Sequence, residues 1–512
     1  MGSPFAYADV SGHVVLLALI GRVRPDRMRG LMTGTGTGRG PTVSDRGGGR
    51  VTHPPSGGTQ TLRTPDPVSA HVDVDAQRRT TWAAQTERLR AVATTEPGRL
   101  QIIGAVLALL VVAFGAVTTL EISSRASSAD DVVSRSQPLS ADAADIYRFL
   151  ADADTTAASG FLAGAQEPEA VHQQYRKDIE EAARLLVKAS GSTDSDSASS
   201  REIATLNKLL PVYTGLIERA RANNRQGLPL GGAYLRYANQ KMTGEMLPAA
   251  ERLYAAETGR LETDSADARQ WPLLSLGAGI LVLGALVWMQ RRTYRRTNRV
   301  LNHGLLAATA AASVVVLWLA VGHAVARAEL RSAMVHGQAS LDVLNDARIN
   351  SLKARANENL TLVARGAVLT PDGSADQYEA DYTTGMKALK SQLEKADRLA
   401  DDERGNTPVA AATKGVAEWQ VRHREARATD DHGDYDGALE QIIGTEGSTG
   451  QSFQQVDAAL EKALAHEQGE FTSAAKDGRG ALRGLPIGAA ALAVLGAAGV
   501  IVGVNRRLSE YR

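Results

Sequence analysis

The chain has no cysteine in 512 residues. That excludes disulfides, thiolate metal sites and cysteine nucleophiles, so its domains must hold together by packing alone. Aromatic residues make up only 4% of it while alanine is abundant, a balance that suits closely packed helices better than sheets. An all-α fold is therefore expected. Net charge is missing too: Lys plus Arg and Asp plus Glu are 57 each, which gives no field directed at nucleic acid, and no nucleic-acid partner is expected. The length calls for more than one folding unit.

Long apolar runs are present. Residues 100–120 (LQIIGAVLALLVVAFGAVTTL) carry no charge over roughly the 20 residues that a helix needs to cross a bilayer. Residues 272–289, 305–325 and 486–504 have the same character, the third including His323. One central Arg would cost about 2.5–3.5 kcal/mol on insertion, so four charge-free runs read as four transmembrane helices. Arg291, Arg292, Arg295, Arg296 and Arg299 crowd the link between the second and third runs with no acid among them, which places that link (290–300) on the cytoplasmic side. Arg88, Arg90 and Arg99 before the first run agree, as do Arg506, Arg507 and Arg512 after the last. Both termini are then cytoplasmic in a multi-pass plasma-membrane protein. Lys476, Arg479 and Arg483 fit less well, because they precede the fourth run on the outer side.

Residues 1–94, rich in Gly, Thr, Pro and Arg without apolar period, read as a disordered cytoplasmic tail. Its patch at 13–20 is too short to span, and its basic residues follow the patch rather than precede it, unlike a signal peptide. Gly34, Gly36 and Gly38 lack the preceding strand and the spacing of a phosphate loop.

The two long intervening stretches, 122–271 and 326–485, repeat each other. Ile203, Leu206, Leu210, Tyr213, Ile217 and Ala220 recur at steps of three and four, the seam of a bundled helix. Their counterparts 206 positions on are Val409, Ala412, Val416, Trp419, His423 and Ala426, apolar except for His423. Gly227 and Gly231 fall on Gly433 and Gly437 under the same shift. Each half thus reads as span, four-helix bundle, span: two duplicated extracytoplasmic four-helix bundles carried by four spans. The fourth helix of the first bundle is expected to kink at Pro248.

Membrane-distal loops are the natural docking points. They place Asn223, Asn224 and Arg225 at one tip, and Asp430, Asp431, Asp434 and Tyr435 at an acidic second tip. The Arg291–Arg299 cluster becomes a cytoplasmic readout or a contact for anionic lipid. No catalytic, cofactor or metal constellation emerges. His466-Glu467 lacks the second histidine of a zinc helix, and Asp142, Asp145, Asp152 and Asp154 read mostly as solvated charges. His423 is expected to sit with its tip at the bundle edge. The spans lack the central charges or breaks of a transporter.

Two span-bundle-span halves with an Arg-rich central hairpin resemble the GlnX-type membrane proteins of actinobacteria over roughly residues 88–512. A weaker resemblance is to the four-helix-bundle sensor domains of chemoreceptors and histidine kinases, which continue into large signalling domains. The GlnX resemblance implies a non-enzymatic relay that passes amino-acid availability from an extracellular solute-binding lipoprotein of the glutamine-binding type to a cytoplasmic Ser/Thr protein kinase. It supplies no catalytic residues. A homo-oligomer is compatible with this arrangement, and a cell-envelope scaffold is the alternative function.

Overall fold

The computed structural model describes residues 95–297 and 302–509. The tail to residue 94, with Arg88 and Arg90, and also Arg299 and Arg512, lie outside the described residues. Among those described, the fold is all-helical, with no strand beyond an isolated antiparallel bridge between Leu369 and Asp376. The first half runs α1 (Glu96–Asp131), α2 (Gln137–Leu162), α3 (Glu169–Ser192), α4 (Ala198–Arg225), α5 (Leu230–Lys241), α6 (Leu247–Arg269) and α7 (Leu273–Thr297). The second half runs α8 (His303–Ser332), α9 (Ala339–Ala364), α10 (Gln377–Leu399), α11 (Glu403–Asp431), α12 (Tyr435–Ile443), α13 (Thr449–Leu482) and α14 (Leu485–Leu508).

Three of these junctions are not breaks. Widened π-turns at Val132–Ser136, Met242–Met246 and Ala333–Gln338 join α1 to α2, α5 to α6 and α8 to α9 into continuous rods. Pro138 and Pro248 each stand in the first turn after such a segment. A proline lacks its N–H and crowds the carbonyl four residues back, and a locally widened turn absorbs that conflict without ending the helix. The kink expected at Pro248 therefore takes the form of a π-turn before it. In the second half the matching rod does break, at 444–448, where Ser448 caps α13 by accepting from Gln451 N at 3.1 Å.

Four helical stretches, within Pro97–Leu162, Leu230–Arg295, His303–Ala364 and Thr449–Leu508, are long and apolar enough to cross a membrane. Their apolar helices form one layer in which α14 packs on α1 and α8, and α7 packs on the same two. Small residues permit the close approach: a methyl on Gly304 would collide with the carbonyl of Gly499. Leu107, Val282, Leu305 and Val500 fill the interior of this layer, while Leu109, Leu273, Ile280, Leu317, Val321 and Ile487 point outward and are exposed. Arg125 ties the layer to what lies above it, donating to Glu121 Oε1 (3.0 Å), Gln270 O (2.7 Å) and Trp271 O (3.1 Å). Arg479, on the poorly fitting basic flank, is neutralised by Asp130 at 2.6 Å.

Beyond that layer, α2 to α6 enclose Leu150, Leu186, Leu206, Tyr213 and Leu253, and α9 to α13 enclose Leu344, Leu389, Val416, Trp419 and Leu460. Every seam residue named on α4 and α11, His423 included, is buried. The halves do not stand apart. Ile349, Leu352 and Leu360 of α9 enter the core of the first half. Thr155 donates to Leu352 O at 2.9 Å, Asn359 to Ser159 Oγ at 2.7 Å, and Lys353 to Tyr147 OH at 2.9 Å. The helix running from α1 to the end of α2 covers 66 residues, about 100 Å at 1.5 Å per residue.

Candidate functional site

Burying a carboxylate is costly unless hydrogen bonds or an opposite charge compensate it, so buried acids are where a helical protein departs from mere packing. Among several buried acids, each half has one that bonds to the same seam position, Tyr213 of α4 or its counterpart Trp419 of α11. Asp154 of α2 falls four residues after Leu150 and three before Ala157, on the apolar face of its helix. It is buried and accepts from Tyr213 OH (3.0 Å) and Asn239 Nδ2 (2.6 Å), both neutral donors. Burial outweighs these two bonds and pushes its carboxyl up to about 6.

Glu358 of α9, 204 positions on from Asp154, accepts from Trp419 Nε1 at 3.0 and 3.1 Å, and Trp419 is the counterpart of Tyr213. Here the partners are also charged. Arg355 pairs with Glu358 and is itself fixed by Thr449 Oγ1 (2.8 Å) and Ile442 O (3.0 Å). His423 Nδ1 lies 2.8 Å from Glu358 Oε1, and its Nε2 lies 3.1 Å from Glu379 Oε1. The imidazole also stacks on Tyr382, with centroids 3.7 Å apart. Burial alone would lower the His423 pKa, but the two carboxylates together overcome it and raise it to about 9. Burial likewise would raise Glu358, but Arg355, His423 and Trp419 hold it below the usual carboxylate range. His423 is thus no edge residue. It is a buried imidazolium engaged at both nitrogens, because Glu358 and Glu379 supply acceptors that the α11 seam alone does not reveal.

Between the halves lies a solvent-reaching cleft of about 850 Å³, walled by α2 and α3 on one side and by α9 and α13 on the other. Arg148, Asp152, Lys177, Arg348, Asp457 and Glu461 line it. Arg348 grips Asp457 with two bonds, 2.7 and 2.9 Å. Burial and the Asp457 charge raise Asp152, with Arg148 and Arg348 opposing them. Asp178 is fully buried nearby and is raised by burial and by Asp152. Sequence reading missed this cleft because its walls are more than 160 positions apart, and no local spacing joins them.

The residues singled out as docking tips gather at the end remote from the apolar layer, where Leu162 packs against Ala426, Ala438 and Ile442. Asn223 and Asn224 serve the local fold, donating to Arg219 O (2.7 Å) and Phe161 O (2.8 Å), while Arg225 is exposed. The acidic tip is largely compensated within the chain. Arg427 pairs with Asp430 (2.6 Å) and Asp431 (3.3 Å), Asp434 caps α12 through Gly437 N (2.9 Å), and Arg365 lies over the Tyr435 ring at 3.8 Å. Asp431 keeps an exposed face. Arg291, Arg292, Arg295 and Arg296 lie on the last turns of α7; Arg291 and Arg295 are exposed, and Arg292 lies over the Trp288 ring at 5.4 Å.

The helices from the end of α1 to near the end of α6 carry the decisive likeness. Residues 128–266 match the actinobacterial sensor domain family. The matched stretch includes Asp154, Tyr213 and Asn239 and one wall of the cleft, and the family it matches is a non-catalytic kind of domain. No curated protein and no solved structure matches the chain.

Proposed function

We propose that this protein is a membrane-embedded, non-enzymatic sensor and signal relay, with two duplicated four-helix bundles outside the membrane and both termini in the cytoplasm. One observation carries the reading: the part that matches the sensor domain family begins within a helix that is continuous with an apolar, membrane-capable stretch and ends three residues before α6 gives way to the next such helix. A change of packing among α2 to α6 thereby acts on two apolar helices directly. Such a relay works when a partner binds one packing more tightly than another. The exposed apolar side chains of the apolar layer support insertion in a bilayer, and the Arg-rich end of α7 supports a cytoplasmic hairpin. The π-turns at Val132–Ser136 and Ala333–Gln338 are the places where each rod changes register, and they suit a helix that rotates or slides between two states.

The resemblance to GlnX-type proteins supplies the finer reading. The outer partner is a solute-binding lipoprotein that docks at the Arg225 and Asp431 tips, the inner one is a Ser/Thr protein kinase near the Arg291–Arg296 turn, and the signal is amino-acid availability. The absence of native cysteine makes the test direct. Arg225→Cys or Asp431→Cys in intact cells is labelled with a membrane-impermeant photo-crosslinking maleimide, and the captured partner is identified. Capture of a solute-binding lipoprotein supports the relay; capture of envelope components alone moves the reading to a scaffold.

A further inference from the structure

The cleft between the halves has charges of both signs that the fold leaves incompletely matched. Arg148 and Asp152 stand one turn apart on α2 and both face it. The bonds of Arg148 to Asp145 are long, 3.3 and 3.2 Å, and lie along its own helix; Asp152 accepts from Thr156 Oγ1 at 3.5 Å. Behind Asp152, one carboxylate oxygen of the fully buried Asp178 has no hydrogen-bond partner. Buried acids held this way gain from an added cation, and a guanidinium held by long bonds and by the face of the Phe149 ring, 3.8 Å away, gains from an added carboxylate.

Ligands of a single sign fit poorly. A dianion would meet Asp152, Asp457 and Glu461, and a diamine would meet Arg148, Lys177 and Arg348, whereas like-charge juxtaposition costs several kcal/mol. The opening of about 850 Å³ lies within the range of small-molecule sites. We propose that the cleft between α2–α3 and α9–α13 binds a small amphoteric molecule of the amino-acid or short-peptide class, its ammonium at Asp152 and its carboxylate at Arg148. Since α2 and α9 continue through π-turns into α1 and α8, a ligand seated there changes how tightly the two halves close, upstream of the apolar layer. The inference deepens the sensor reading and rests on it only for the consequence of binding, not for binding itself.

The test uses the purified full-length protein in nanodiscs and isothermal titration with four groups of probes: free amino acids, di- and tripeptides, dicarboxylates and diamines. At least one amino acid or short peptide should bind saturably, with affinity falling at least tenfold in Asp152→Asn and in Arg148→Gln and unchanged in Glu425→Gln, an exposed position away from the cleft. Thermal unfolding of each variant separates loss of the site from loss of the fold. Comparison of free amino acids with peptides identifies the source of the zwitterion. Binding of dicarboxylates or diamines in preference, the absence of any saturable zwitterion binding, or affinities unmoved by both α2 variants in folded protein would overturn the proposal. Because titration needs no partner protein, silence here with successful lipoprotein capture at the tips removes the cleft and leaves the relay, and the converse result does the reverse.

Discussion

The two halves handle a buried carboxylate in opposite ways. Asp154 is left with neutral donors, and burial raises it to about 6; Glu358 is enclosed by Arg355 and a protonated His423, and its charge is kept. An acid bonded to the same seam position thus serves as a poorly tolerated charge in one half and as the centre of an ion network in the other. The difference arises at few positions: where α4 has Ile217, α11 has His423, and where α4 has Tyr213, α11 has Trp419. Charge and packing, beside the backbone break at 444–448, set the two halves apart. The half with the strained acid is the one that matches the sensor domain family. A group near its titration point responds to its surroundings, whereas a saturated network resists them.

The largest effect should come from breaking the network. Glu358→Gln leaves Arg355 and His423 facing a neutral amide in a buried site and should cost about 3–5 kcal/mol in denaturant unfolding. Asp154→Asn, at the acid bonded to the same seam position in the first half, should change stability by no more than about 1 kcal/mol, because it removes a desolvated charge along with part of its hydrogen bonding. Equal losses in the two variants would end the comparison.

Acidity sharpens it next. The folded pKa of His423 is raised to about 9. From an unfolded value of about 6.5, it contributes about 3 kcal/mol that is fully present below pH 6.5 and is lost as pH rises through about 9. His423→Ile should flatten that alkaline limb of a stability–pH profile. Asp154 runs the other way. Its ionised form is disfavoured in the fold, so stability should increase as pH falls from about 6 toward 4, and Asp154→Asn should abolish that rise. The smallest effect belongs to the tip. Asp431→Asn removes the exposed partner of Arg427, which keeps Asp430 and Glu379, and should cost less than about 1 kcal/mol at low salt, with little left at high salt.

Much of the helical order was legible in the sequence because it rests on local periodicity. The α4 and α11 seams were readable at steps of three and four, and every one of those positions is buried. The apolar runs stand inside α1, α7, α8 and α14, apart from Pro272 just ahead of α7. What was not legible depends on distant partners. A histidine on an apolar seam shows neither Glu358 nor Glu379, which come from two other helices. Asp154 left a readable signal, an acid on a face otherwise set by Leu150, Ala153 and Ala157, but the four acids of α2 look alike in sequence. The π-turns escape a period of 3.6, although Pro138 and Pro248 mark two of them afterwards. The packing of α9 into the first half, and the cleft it creates, left no local trace at all.

The central claim is that the helical halves lie on one side of a membrane and the α7–α8 link on the other. Single cysteines at Arg225, exposed at the distal end, and at Tyr294, exposed near the end of α7, test it most directly. In intact cells, a membrane-impermeant maleimide should label Arg225→Cys, and Tyr294→Cys only after permeabilisation. Labelling of Tyr294→Cys without permeabilisation, or of both positions alike, would contradict the account.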